Sequence, residues 1–325
     1  MLKKISLFLI AFFVFVGCDS DNNTNPPVDL TCEKLLQMYN ENSDSLNLSK
    51  KRLHNLPNCI GNLTNLTKLI LKENYLSNLP DSIVNLIYLK ELWLNINSFI
   101  ELPDIISDLS ELEWLFLDWN LLTELPGNIG NLTNLEMLTV DNNGLTELPE
   151  SIGNLGNLNF LSLMNNQITE IPESIGNLAV LKTLQLSEND LIELPRSICN
   201  LTELESLILS VNSITELPEN IGNLSKLTTF SLMDNQLTTL PESIVSITNL
   251  EGLYLGNNNL EELPDSIGNL INLEKLYLWN NDLTELPESI KFLTNLSELH
   301  LQDNDFSDAE KAKIEGWLPN CIIRW

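Results

Sequence analysis

Side chains able to do acid–base, nucleophilic or metal chemistry are few in this chain. Its 325 residues include two histidines, His54 and His300, and five cysteines. No HExxH, paired CxxC, GxSxG or phosphate-loop pattern occurs, so no catalytic dyad and no transition-metal site of the usual Cys/His kind can be assembled. Carboxylates are abundant, 45 against 17 lysines and arginines for a net charge of −28, but their pairs show no special spacing. Nothing points to an enzyme, and no cofactor is implied. What remains is the chemistry of large rings, with six tryptophans and five tyrosines, the side chains that dominate binding hot spots. Which rings can bind depends on the element that carries them.

That element is a 23-residue unit. It reads Leu135-x-x-Leu138-x-Val140-x-x-Asn143-x-Leu145-x-x-Leu148-Pro149-x-x-Ile152-x-x-Leu155 and then begins again. Eleven prolines, from Pro57 through Pro80 and Pro103 to Pro287, keep this step without an insertion, and asparagines keep it from Asn74 to Asn304. Self-similarity at such a period means a solenoid. The alternating Leu138-Thr139-Val140 segment suits a strand whose neighbouring side chains face opposite ways. Leu-Pro then stops the strand, because proline has no N–H for a ladder. The Ser-Ile-Gly-Asn-Leu stretch that follows spaces its apolar residues by three, which predicts a short helical or 3-10 turn. About seven inward aliphatics per unit, at roughly 1.5–3 kcal/mol each, cannot offset fixing 23 backbones at about 1–2 kcal/mol each. One unit therefore cannot fold alone, and both ends of the stack need caps.

The LxxLxLxxNxL core of this unit resembles the leucine-rich-repeat family over residues 43–318. The resemblance implies an α/β solenoid, a curved horseshoe with a parallel β-sheet on its concave face and short helical or 3-10 segments on its convex face. It also implies that the asparagines bond backbone groups of the turn in a ladder. The expected organisation is a signal peptide at 1–17, a tether at 18–28, an N-terminal cap at 29–42, about twelve repeats at 43–305 and a C-terminal cap at 306–325. In the N-terminal cap, Leu30, Leu35, Leu36 and Tyr39 are expected to share a helix face. The Phe306–Trp317 segment reads as a covering helix with Ser307 or Asp308 as its N-cap.

Lys3 and Lys4 precede an unbroken apolar run, Leu7–Val16, too short to span a bilayer and suited to a signal-peptide core. The following Phe15-Val16-Gly17-Cys18 resembles a bacterial lipobox, which implies lipidation of Cys18 and attachment to a membrane of the cell envelope without a spanning helix. Acidic residues directly after Cys18 are similar to surface-export signals of some lipoproteins. Strands stacked about 4.8 Å apart put Cys199 roughly 30 Å from Cys59, far beyond the about 7 Å between Cα atoms that a disulfide allows. Cys32 and Cys59 remain as the disulfide candidates. Cys199 reads as a buried small residue.

Glutamates two residues before the prolines, and acids just after them, form two ladders along one edge. They read as a solvated surface, with cation binding between rungs as the alternative. The same charge argues against nucleic acid, which needs basic patches. The variable strand positions are left for binding. Trp93, Trp114, Phe116, Trp119, Met137, Phe160 and Met164 occupy them in repeats three to six, bordered by Glu91, Asp118 and Asp141. Tyr254, Tyr277, Trp279 and His300 occupy them in repeats ten to twelve. Such rings either stabilise the sheet surface or bind. The reading taken is a non-catalytic scaffold with a protein partner on the concave face. A glycan or cell-wall ligand stacked on the same rings, or a structural surface component, is the alternative.

Overall fold

The computed structural model describes residues 28–325. Cys18, the signal segment and nearly all of the tether lie outside the described residues. Among the described residues, thirteen three-residue strands form one parallel sheet in which spatial order equals chain order. It runs from β1 (Ser45–Asn47) and β2 (Lys68–Ile70) to β12 (Glu298–His300) and β13 (Ile322–Arg324). Register repeats the sequence period, so Leu115 pairs with Leu138 and Leu138 with Leu161. Only the middle residue of each strand points inward.

Each proline performs the exit from its strand. Pro149, at φ −68° and ψ 145°, leads into a 3-10 segment, Glu150–Asn154, and the other ten prolines do the same on the convex side. The glycines of Ile-Gly-Asn allow these turns to stack. A Cβ on Gly153 would lie 2.3 Å from the Ser174 carbonyl oxygen of the next turn. At Val84, Ser107, Cys199, Val245 and Lys291 a side chain stands at that position. The next 3-10 segment has three residues after Ser107, Cys199 and Val245 (Ile129–Asn131, Ile221–Asn223, Ile267–Asn269) and five after Val84 (Asp104–Asp108). Cys199 is buried there as a core residue.

The core is a continuous column of leucine and isoleucine, nearly all fully inaccessible, and the buried asparagines line one side of it. Asn143 shows their geometry. Its Nδ2 donates to the carbonyls of Leu117 (3.1 Å) and Val140 (3.2 Å), and its Oδ1 accepts from the Leu122 N–H (3.0 Å). One amide thus satisfies three buried backbone groups on two rungs, which buried polar atoms require. The residue before each asparagine is left-handed, with φ near +56° at Ile96, Trp119 and Asn142.

The caps differ from each other. At the N-terminus, α1 (Cys32–Met38) is shorter than the 29–42 span suggests, and Thr31 caps it. It buries Leu35, whereas Leu36 is exposed, a departure from the shared face expected above. Adjacent helical residues diverge by about 100°, so both cannot face the core. Cys32 and Cys59 are joined, with Cα atoms 5.8 Å apart, fastening α1 to the first turn. At the other end α2 (Asp308–Trp317) starts at Ser307, whose Oγ accepts from the Glu310 N–H, and buries Ile314.

Candidate binding face

Residues one and three of every strand point out of the concave face, and the residue two places further on flanks them. The strands β3 (Glu91–Trp93), β4 (Trp114–Phe116), β5 (Met137–Thr139) and β6 (Phe160–Ser162) carry the first group of rings. Parallel register sets Trp93 beside Phe116, and their centroids are 4.3 Å apart. In the neighbouring column Trp114, Met137 and Phe160 follow one another strand by strand. All five are half-buried. Trp119 is different: it stands on the rim past the end of β4, in a left-handed backbone, and is 43% exposed.

The first group has a basic and an acidic border. Lys68 and Lys72 place their ammonium groups 5.2 and 5.9 Å from the Trp93 ring, within cation–π range. Glu91 binds Lys68 at 2.6 Å and accepts from the Trp93 indole N–H at 3.2 Å. Asp118 accepts from Asn95, from the Thr139 hydroxyl (2.8 Å) and from the Asp141 N–H (3.0 Å). Asp141 accepts from the Ser162 hydroxyl (2.6 Å) and the Met164 N–H (2.7 Å). Burial pushes the Asp141 carboxyl above the usual range; those two donors pull it back, and the nearby Asp118 adds to the rise. The two aspartates are therefore part of a side-chain network rather than a free polar rim. The indole N–H groups of Trp114 and Trp119 have no hydrogen-bond partner among the described residues.

The second group lies on β10 (Gly252–Tyr254), β11 (Lys275–Tyr277) and β12. Tyr254 meets Tyr277 edge-on at 5.0 Å, and His300 stacks flat on Tyr277 at 4.0 Å. The Tyr277 hydroxyl donates to Glu298 at 2.8 Å, and this bond, with burial, raises its pKa. Burial and Arg324 lower the pKa of His300, against the opposing pull of Glu298. Tyr254 folds back over Gly252, and Trp279 lies over Gly256, where an added Cβ would come within 2.7 and 2.3 Å of the respective rings. The two groups are separated by rungs carrying Thr183, Gln185, Ser206, Ile208, Thr229 and Ser231, where no ring points outward.

Sequence reasoning passed over Lys68, Lys72, Glu298 and the two glycines. Each was visible as an offset from a ring: Lys68 is 25 residues before Trp93, Glu298 is 21 after Tyr277, and Gly256 is 23 before Trp279. Among the described residues no group of three His, Cys, Asp or Glu is arranged to hold a metal ion. Among them, too, no helix is long and apolar enough to cross a membrane.

A profile of the leucine-rich repeat region matches residues 150–214 and 206–315, and a single leucine-rich-repeat profile matches residues 134–155. This chain belongs to the leucine-rich-repeat family. Among solved leucine-rich-repeat structures, it is similar to a protein of Leptospira interrogans, with 31% identity over 93% of this chain and 100% of that one, at TM-score 0.47. It is similar to PEPR1, solved with AtPEP1, with 34% identity over 81% of this chain and 38% of the receptor, at TM-score 0.73. It is also similar to the Arabidopsis receptor kinase HAESA, solved with the peptide hormone IDA and the co-receptor SERK1. There the identity is 29% over 94% of this chain and 58% of that one, at TM-score 0.66. The chain thus spans less than two thirds of either receptor. No curated protein matches it.

Proposed function

We propose that this leucine-rich-repeat chain is a non-catalytic protein-binding scaffold of the cell envelope, tethered by lipid at Cys18. The partner sits on Trp93, Trp114, Phe116, Trp119 and Phe160, and Tyr254, Tyr277 and Trp279 make a secondary contact. The observation that carries this reading is the first group of rings: contiguous, only half covered, and with two indole N–H groups unused. Clustered exposed apolar surface marks interaction sites, and an amphipathic ring with an unspent donor suits a protein interface. PEPR1 and HAESA, similar in fold and about a third identical, were each solved with a bound partner.

Cross-linking of the full chain on intact cells, followed by mass spectrometry, identifies the partner. A Trp93→Ala/Trp114→Ala/Trp119→Ala variant should then lose capture by about 100-fold or more, as hot-spot tryptophans do, while keeping its cooperative melting. Equal capture by the variant overturns the assignment. Incorporation of labelled fatty acid should vanish in Cys18→Ala; label retained in that variant removes the tether.

A further inference from the structure

The apolar surface of rungs three and four does not stop at the concave face. Ile96 and Trp119 occupy equivalent left-handed positions on successive rungs, where the Ile96 N–H bonds the Asp118 carbonyl and the Asn97 N–H bonds that of Trp119. Leu121 is tied to the same neighbour by its N–H to the Phe99 carbonyl, next to Ile100. These four side chains are 38%, 43%, 46% and 57% exposed, a group of exposed apolar residues on two adjacent rungs. The equivalents of Ile96 and Trp119 elsewhere are mostly Asn, Asp, Glu or Lys, with Val211 the other apolar exception. Those polar types suit a rim, and asparagine also tolerates a left-handed backbone. A β-branched residue is strained there, and both Ile96 (φ 56°) and Val211 (φ 60°) carry that strain; only at Ile96 is the neighbouring rung's equivalent also apolar, Trp119.

Beyond this edge lies a groove of about 430 Å3, lined by Glu101, Asp104, Glu124, Gly127 and Glu147 with Pro103, Pro126 and Pro149. Three glutamates stand here at rung spacing, and neither they nor Asp104 has an ion-pair partner among the described residues. Gly127 opens the groove. It follows Pro126, where most other rungs carry an acid, and space for a side chain there is empty. Rungs three to five therefore present an apolar step beside an acidic notch.

We infer that this edge docks an extended segment of a partner protein that bears apolar residues followed by lysine or arginine. The apolar residues cover Ile96, Ile100, Trp119 and Leu121, and the cation enters the notch at Gly127 between Glu101, Glu124 and Glu147. The charge is complementary, and the notch has the one missing side chain that makes room for a long cationic one. This deepens the protein-binding reading above and names the chemistry of the partner, resting on that reading for the concave contact.

The test uses the full chain and three fluorescent dodecapeptides: one with a Leu-Phe-Leu triplet followed by Lys-Arg-Lys, one with the basic residues changed to Glu, and one with the apolar triplet changed to Ser-Gly-Ser. Anisotropy should show the first bound about tenfold or more tighter than either control, and weakened by salt, as steered charge pairs are. Gly127→Arg should abolish that preference without loss of fold, since Arg196 occupies the equivalent place three rungs on. Ile96→Asn should weaken the peptide while leaving melting unchanged or raised. Equal binding of the three peptides, or no binding, or binding unaffected by Gly127→Arg, overturns the inference. Self-association abolished by Ile100→Ser/Leu121→Ser would assign the edge to a second copy and also overturn it. Trp93→Ala/Phe116→Ala separates the two readings. Partner capture lost in that variant but intact in Gly127→Arg keeps the concave site and sinks the edge; capture intact in Trp93→Ala/Phe116→Ala counts against the concave site alone.

Discussion

The two groups of rings share one column of the same sheet, the third strand position that holds Trp93 and Phe116 in one and Tyr254 and Tyr277 in the other, and they are built differently. Around β3–β6 the rings lean on one another and on lysine stems, Trp119 projects from the rim, and two indole donors have no partner. On β10–β12 the rings are seated: Trp279 covers Gly256, Tyr254 covers Gly252, and Tyr277 is held between His300 and Glu298. The third strand position thus holds a ring pair bordered by lysine and glutamate in one place and, at Tyr254, a lid over a missing side chain in the other. What decides is the residue one rung or one column away.

That contrast can be broken experimentally, and the largest effect should come from the seated group. Replacing Tyr254, Tyr277 and Trp279 together with alanine should lower unfolding stability by about 3 kcal/mol, each ring losing its partial burial and ring contacts. Trp119→Ala, at the exposed rim position, should cost less than about 1 kcal/mol, as exposed substitutions do. Urea denaturation compares the two, and equal losses would erase the distinction. Tyr277→Phe isolates the hydroxyl, and losing its bond to Glu298 should cost about 1 kcal/mol. Gly256→Ala tests the seating directly. Its methyl would collide with the Trp279 ring, so the ring must lift, tryptophan emission should shift to the red, and stability should fall by about 1 kcal/mol. No glycine lies on β3–β6, so this lesion has no counterpart in the first group.

The smallest effect is a dependence on pH. The His300 imidazole titrates below the ordinary 6.5 because burial and Arg324 disfavour its charged form. The unfolded chain then binds the proton more readily, so this contribution to stability is complete above pH 6.5 and drains away as pH falls below it. Melting curves across that window should show a loss that His300→Gln reduces. Asp141 behaves in the opposite sense. Burial raises its pKa, so its ionised form is penalised at neutral pH, and Asp141→Asn should stabilise slightly there and lose that advantage in acid.

The fold was legible in the residues because its determinants are local and repeated. Proline ends a strand wherever it stands, and a 23-residue step shared by Pro57–Pro287 and Asn74–Asn304 leaves one way to stack. The asparagine ladder was implied by the resemblance to the leucine-rich-repeat family, at the one polar residue of an apolar register. The site was legible only as columns. Trp93, Phe116, Tyr254 and Tyr277 could be assigned to the outward face by alternation alone. Their surroundings could not, since Lys68 over Trp93 and Glu298 on Tyr277 are contacts between rungs. Leu36 was misjudged for a different reason: it stands about 100° from Leu35 on the helix, so once Leu35 faces the core Leu36 must face away.

By itself, then, the order of residues determined the period, the parallel sheet, the turn after each proline and the face on which each ring stands, because each of these follows from backbone chemistry within one unit. Only the tertiary structure decided which rings cover glycines, which indole donors are left without a partner, that Ile96, Trp119, Leu121 and Ile100 stand exposed on neighbouring rungs, and that Gly127 opens an acidic notch. Those outcomes depend on side chains brought together from different rungs, and contact across rungs is a property of the stack.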